Sequence, residues 1–415
     1  MTELNEKPEP NTKDDVLEAV READILIEHR ESEKDALTRA KRLLLAQEKS
    51  LSDPPDLDSK KRDQLLILVR GRLIQVFNHL GDTASQSAMK NSIGKLASKC
   101  REDASHEETR DIETTVLEIQ NHALNILFND YRFEEVSRIA HDLLDRRKAM
   151  RIADPDALRG EILGSLGQAM AFQARWDSSC AQFARMHFDT SLEHFDLGHR
   201  FESMSVNFLA TLEWQAKDSN KAFETLKKHS NPVPYPSISD TVENFQELSR
   251  LASDGDDMNS GYLLLNLLRI LSQEKLDSGK VREVASTLLD REVKSYPYPH
   301  LCRWLGAIAA EGGDNETAER LFDTCIETSQ ESGFTVKTLS LPAMAMKAAL
   351  KKQSGKDNSS EREEALENAS RMVRKSKGFG RCLEKSGGKA ELEAICEAGP
   401  NWISKACRLL PWIYS

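Results

Sequence analysis

One pattern between residues 112 and 327 constrains this chain more than any other. A stretch rich in Leu, Ala and Gly runs into a short polar turn, and a second periodic apolar stretch follows. The clearest copy reads Leu305-Gly306, Ala309, Gly313-Asp314-Asn315, Ala318, Leu321-Phe322 and Cys325. A second reads Leu166-Gly167, Met170, Ala174-Arg175-Trp176-Asp177, Ser179, Phe183 and Met186. A third reads Leu209-Ala210, Asp218-Ser219-Asn220, Ala222 and Leu226, and a weaker one Ala123-Leu124, Leu127, Asp130-Tyr131-Arg132-Phe133, Val136, Ile139 and Leu143. Apolar residues three and four apart mark one face of a helix. Small residues at matched points let two antiparallel helices approach closely, and the bulky ones interdigitate with the next pair. Such a unit cannot bury its faces alone and must stack on its neighbours.

This spacing resembles the tetratricopeptide repeat. That family carries a Leu-Gly pair in its first helix, a small residue twelve positions after the Gly, and an aromatic or Leu four further on. Gly306/Ala318/Phe322 fits best, followed by Gly167/Ser179/Phe183 and Ala210/Ala222/Leu226. The chain departs from the family where Leu163, Val206 and Cys302 replace the first-helix Trp, and where Ser191 and Gln330 stand in place of the closing Pro. The period departs too: Val136, Ser179 and Ala222 are 43 apart each time, while Val284 and Ala318 are 34 apart, against a family period of about 34. The resemblance spans roughly half the chain and reaches the superfamily rather than a member. It implies an all-α, right-handed superhelical α-solenoid of antiparallel helix pairs, with about seven or eight hairpins over the whole chain.

The remaining segments fit around this array. Residues 1–12, with Pro8 and Pro10, read as a disordered leader. Residues 13–110 read as two helical hairpins, the first carrying Val16, Val20, Ala23 and Ile27 on one stripe. The second carries Leu65, Leu68, Val69, Leu73, Val76 and Phe77 on its apolar face. The repeat array occupies 111–350, interrupted by a Pro-rich loop at 230–240, where Pro232, Pro234 and Pro236 remove donors and fix φ. Residues 351–361 read as a flexible linker and 362–415 as a basic helical cap. The closing Trp412-Ile413-Tyr414 is expected to pack back on the last hairpin.

Composition supports this reading and narrows the function. Apolar residues make up 39% and charged residues 30%, the proportion of a thin core with a large surface. The net charge of −11 argues against a general nucleic-acid binder, which needs clustered cations. The charge is uneven, however. Residues 1–60 hold 10 Lys and Arg against 16 Asp and Glu, whereas residues 351–415 hold 13 against 9. No apolar run approaches the roughly 18 residues of a membrane span, and the polar N-terminus does not read as a signal peptide. The seven cysteines are scattered without a CxxC pair, which reads as free thiols in the cytoplasm or another reducing compartment.

Few residues suggest chemistry. His187 and His194 share a helix face at i, i+7, two turns or about 10 Å apart, too far to share one metal ion. A metal-dependent catalytic solenoid built on them is therefore a remote third reading. Cys382, Cys396 and Cys407 lack a nearby His and read as small buried hydrophobes. Ser386-Gly387-Gly388-Lys389 lacks the Ser or Thr of a phosphate loop, and Lys377-Gly378-Phe379-Gly380 continues without base-stacking aromatics. No catalytic residue, cofactor site or metal site is expected, and the enzymatic reading is set aside.

Two surfaces remain. The tetratricopeptide resemblance implies that the first helix of each pair lines a concave groove. That would place Asn121, Asn125 and Asn129 in a ladder, joined by Gln168, Phe172, Asn207, Thr211, Trp214, Gln215 and Arg303. Amide side chains can grip an extended backbone, and aromatic ones can anchor apolar groups. The second surface is a basic run, Arg371, Arg374, Lys375, Lys377 and Arg381. It reads either as a solvated face that suits a helix C-terminus or as an electrostatic docking patch. The expected function is a protein- or peptide-binding scaffold, adaptor or regulatory subunit acting through the groove. The alternative is a subunit that senses or tethers nucleic acid through the basic segment. The partner's identity and the oligomeric state are not encoded in any recognisable motif.

Overall fold

The computed structural model describes residues 13–28, 35–52, 58–80, 82–102, 106–151, 156–174, 176–195, 200–228, 237–244, 258–271, 278–289, 298–330, 338, 340–385 and 388–398. Every regular element among them is an α-helix, and none is long and apolar enough to cross a membrane. The leader 1–12, most of the Pro-rich loop and the closing Trp412-Ile413-Tyr414 lie outside the described residues. The chain forms two compact units, one of residues 1–126 with 142–152, the other of 127–141 with 153–415.

The first unit holds α1 (Lys13–Glu28), α2 (Ala36–Ser52), α3 (Ser59–Leu80), α4 (Thr83–Glu102) and most of α5 (His106–Asn129). Helices α1 to α4 pack each on the next. The stripe Val16, Val20, Ala23 and Ile27 is buried as its spacing predicts, against Leu65, Leu66, Val69, Leu73, Val76 and Phe77 of α3. The other face of α3 adds Ile67 and Ile74 to a second cluster with Ile93, Ala97, Ile112, Val116 and Ile119. Gly71 allows this approach, since a Cβ there would come within 2.7 Å of the Ile119 side chain. Ion pairs line the edges, among them Arg70–Glu48 at 2.7 Å and Lys99–Asp63 at 2.6 Å.

The second unit continues with α6 (Phe133–Ala149, its first part), α7 (Ala157–Gln173), α8 (Ser179–Leu192), α9 (Arg200–Gln215), α10 (Ser219–Leu226) and the short α11 (Ile238–Glu243). Then come α12 (Met258–Leu271), α13 (Ser278–Leu289), α14 (Tyr298–Glu311), α15 (Asn315–Gln330), α16 (Ser340–Gln353), α17 (Ser359–Lys375), α18 (Lys377–Lys385) and α19 (Gly388–Cys396). The helices pack on their neighbours, α7 with α8, α9 with α10, α14 with α15 and α16 with α17. This is a helical repeat-like fold.

The repeat is plainest in its turns. Tyr131, Lys217, Gly313 and Gly355 all have positive φ. Each donates its N–H three residues back, and the next residue donates five back, as in Arg132 N–H to Leu127 O at 2.9 Å and Asp314 N–H to Ala309 O at 2.9 Å. This is the Schellman closure, which satisfies the last carbonyls of one helix before the next begins. Asp218 and Asp314 then cap the following helices through the N–H groups of Lys221 and Thr317. The segment 351–361, expected as a flexible linker, is one of these tight turns: α16 runs to Gln353, and Asn358 Nδ2 donates to Cys396 O at 2.8 Å.

Small-on-large packing follows the expected register in part. Gly306 lies under Phe322, and Ala210, Ala222 and Leu226 share one cluster. Gly167 is also covered by a phenylalanine, but it is Phe188 rather than Phe183. The α7–α8 turn is longer, so α8 starts twelve residues after Gly167, whereas α15 starts nine after Gly306. The buried face of α8 becomes Ala184, His187, Phe188 and Ser191. Phe183 and Met186, expected in the core, are each 50% exposed.

Candidate functional site: a cationic helix pair and its closing contact

Helices expected to line a groove are instead enclosed. Tyr298 through Ala310 of α14 are all buried, as are nearly all of Ser340 to Leu350 in α16. Helices buried on every side belong to an interior, not to a groove wall. Asn207, Thr211 and Arg303 are buried. Asn266 Nδ2 donates to Asn207 Oδ1 at 3.0 Å, Thr211 Oγ1 donates to Asn266 Oδ1 at 2.8 Å, and Arg269 donates to both Thr211 and Asn266 at 3.1 Å. The Arg269 and Arg303 guanidiniums lie 5.6 and 5.8 Å from the Trp304 ring centre, near enough for cation–π attraction. Trp214 packs edge-on against Trp304 at 5.6 Å.

Phe172, a further groove candidate, is buried in an aromatic stack with Phe133 at 4.7 Å and Phe128 at 5.0 Å. Asn121 is buried in the first unit. Gln168, Trp214 and Gln215 are half-buried, while the side chains of Asn125 and Asn129 lie outside the described residues. Of the amides that sequence spacing placed on a peptide-gripping face, Asn207 is thus bonded inside the protein, to Asn266. Asn266 and Arg269, central to that network, carried no sequence signal beyond a polar residue in an apolar helix.

The histidines are likewise structural in setting. His187 on α8 is buried with its ring 6.0 Å from that of His141 on α6. Burial, with His141 beside it, pushes the His187 imidazole down to about 4. His194 Nδ1 accepts the Asp156 N–H at 3.3 Å, so the two histidines do not converge. Among the described residues no three His, Cys, Asp or Glu side chains are grouped to hold a metal ion.

The basic run behaves differently. Arg371, Arg374, Lys375, Lys377 and Arg381 are all exposed, on α17 and α18. Arg371 pairs with Glu367 one turn back at 3.3 Å. The other four make no ion pair within 4 Å among the described residues. The two helices meet at Ser376, whose extended backbone ends α17. Its hydroxyl accepts the Phe379 N–H at 3.0 Å and donates to Asp130 Oδ1 at 2.6 Å.

That last bond joins residues 246 apart, and it is one of several. Phe379 lies edge-on to Tyr131 at 5.2 Å, the Cys382 thiol donates to the Tyr131 carbonyl at 3.4 Å, and Lys385 Nζ donates to Glu134 at 2.6 Å. The same ammonium sits 5.3 Å from the Trp176 ring centre. Gly378 leaves no alternative residue, since a Cβ there would overlap the Asp130 carbonyl oxygen. Tyr131 itself takes φ +59°, a costly conformation for a bulky side chain. Its buried ring and the 2.6 Å bond between its hydroxyl and Thr338 hold it there. The Lys-Gly-Phe-Gly stretch, which sequence alone left as a chance match, is the seam that docks α18 on the first turn of its unit.

Beside the seam is a cleft of about 270 Å³ lined by Arg132, Glu134, Glu135, Arg381, Cys382 and Lys385 among others. Both of its carboxylates are paired with cations. Arg132 binds Glu135 at 2.7 Å. Burial would raise the Glu134 carboxyl, but the Lys385 ammonium outweighs it and leaves the group below its usual range. Burial pushes the Cys382 thiol up to about 12, which leaves it protonated and unreactive at neutral pH.

No protein-family model and no curated protein matches this chain. Among solved structures, a similar one is described as a circular tandem repeat protein with novel repeat topology and enhanced subunit contact surfaces. It is 15% identical over 96% of this chain and 94% of that one, with a TM-score of 0.20.

Proposed function

We propose that this protein is a non-catalytic binding scaffold, an adaptor or regulatory subunit that holds a protein or peptide partner. In this reading it is built as a right-handed, tetratricopeptide-like array of seven or eight hairpins, in a reducing intracellular compartment. The observation that carries the reading is how the chemically able side chains are held. Burial pushes Cys325 and Cys396 up to about 11 and Cys382 to about 12, and nucleophilic sulfur needs a thiolate. Burial also holds His187 and His300 well below the range of a working acid–base group. What the array presents to solvent is helix faces.

The groove version of this reading is narrowed by burial. A partner engaging Asn207 or Thr211 would have to displace a buried hydrogen-bond network, and Arg303 is itself buried. Outer faces are the accessible alternative, including the exposed Phe183 and Met186 on α8.

The test is affinity capture by the full-length protein from native lysate, with and without nuclease, read by mass spectrometry. One defined protein recovered in near-equal amount under both conditions is the expected result. Recovery of nucleic acid, or loss of every partner on nuclease treatment, would overturn the proposal in favour of the nucleic-acid reading.

A further inference from the structure

We infer that the exposed face of α17 and α18 is a docking surface for an acidic, amphipathic protein segment; this rests on the scaffold reading and gives its partner a chemistry. Between residues 371 and 385 the chain places six cations against a single carboxylate, Glu384, in a protein whose overall charge is −11. A local excess of this kind is an attractive target for an anionic partner and speeds its encounter.

The cations are also preorganised. They do not sit on a free tail, because the Ser376–Asp130, Phe379–Tyr131 and Lys385–Glu134 contacts pin α18 at one end of α17. A backbone fixed in this way has less entropy to lose when a partner binds. Arg371 and Lys375 stand one turn apart, as do Lys377 and Arg381, about 6 Å by helical rise. Carboxylates spaced i, i+4 on a partner helix have the same repeat.

Two observations favour a protein segment over a nucleic acid. Val373, 36% exposed, lies among the cations of α17 and against Gly380 of α18. An apolar side chain there offers contact to an amphipathic peptide and nothing to a phosphate backbone. The patch is also short and bounded by carboxylates. Glu361, Glu363, Glu364 and Glu367 occupy the first part of α17. A duplex, with one charge per about 1.7 Å of axis, would run onto them.

The experiment is fluorescence anisotropy of the full-length protein with two probes. One is a fluorescein-labelled 18-residue peptide rich in Glu and Asp with Leu at every fourth position. The other is a labelled duplex DNA of 20 base pairs. The variants are Arg374→Glu/Lys375→Glu/Lys377→Glu, the single Val373→Ser, and Lys90→Glu/Lys95→Glu/Lys148→Glu as a control with the same charge change at exposed lysines elsewhere. Circular dichroism checks that each variant keeps its helices. The expected result is peptide binding weakened about tenfold or more by the reversal on α17–α18. The Val373→Ser change should weaken it less, and the control should leave it within about twofold.

Three results would overturn the inference: no peptide binding to the wild-type chain, equal loss with the control reversal, or tighter duplex binding that Val373→Ser does not touch. Failure here is separable from failure of the scaffold reading. If the reversed variant still captures the same protein partner from lysate, the scaffold stands and only this surface is wrong.

Discussion

The network around Asn266 and the face around Arg374 are both polar, yet they sit in opposite physical situations. The first is an interior. Its amides, hydroxyl and guanidinium bond one another away from solvent. The second is an exterior, with four cations that have no ion-pair partner within reach among the described residues. Polar groups satisfied inside a protein specify packing; polar groups held unsatisfied on a rigid surface are available to something else. The interior should therefore answer to stability measurements and the face to binding measurements, and substitutions can separate the two.

The largest effect is expected at the seam that fixes the face. Gly378→Val would force a side chain into the Asp130 carbonyl oxygen, a backbone atom that cannot rotate away. Urea denaturation should show a loss of more than about 3 kcal/mol, or an early transition that releases α18 alone. Retained wild-type stability would mean that the seam is not closed in solution.

Next is acid sensitivity from the interior. His187 is neutral in the folded chain, with its titration lowered from 6.5 to about 4. The unfolded chain takes up a proton below its ordinary value while the folded chain does not. The stability is therefore complete above about pH 6.5 and falls as the pH drops towards 4, by about 3 kcal/mol. His187→Leu should flatten that part of the pH–stability curve, measured by denaturation at pH 7.5 and 4.5.

Removing the hub of the interior network, Asn266→Ala, should cost about 2 kcal/mol by leaving the Asn207 side-chain oxygen short of a partner, with peptide binding unchanged. Ser376→Ala removes both the cap of α18 and the Asp130 bond and should cost about 1 kcal/mol. The smallest effect on stability belongs to the face itself. Reversing Arg374, Lys375 and Lys377 should shift unfolding by no more than about 0.5 kcal/mol. A large shift there would mean that the cations serve the fold and not a partner.

How much of this was legible in the sequence depends on whether the signal was local. Helix-period spacing located the apolar stripes of α1 and α3, because one face of a helix is written within a few residues. Gly313-Asp314 marked its turn, since glycine at positive φ followed by a capping aspartate is a local signature. The same turn at Tyr131 and Lys217 carried no such mark, because tertiary packing holds a residue there that propensity would reject. Phe183 was misplaced for a related reason. A longer α7–α8 turn shifted the register, and the family spacing had no means of showing it.

Two candidate groove residues, Asn207 and Thr211, could not be placed from sequence because they find partners on α12, more than fifty residues away. No window of sequence shows whether an amide faces solvent or another amide. The basic run was legible as charge, but the seam that fixes it was not. Ser376, Gly378 and Cys382 acquire meaning only when Asp130 and Tyr131 arrive from the other end of the unit.

Hydrogen-exchange mass spectrometry on the full-length protein, with and without the acidic peptide, tests the division between closed interior and available face most directly. The expected result is slow exchange in α9, α12 and α14 that the peptide does not change, and new protection confined to residues 371–385. Fast exchange in those inner helices, or protection that appears on them when peptide is added, would show an open groove and contradict it.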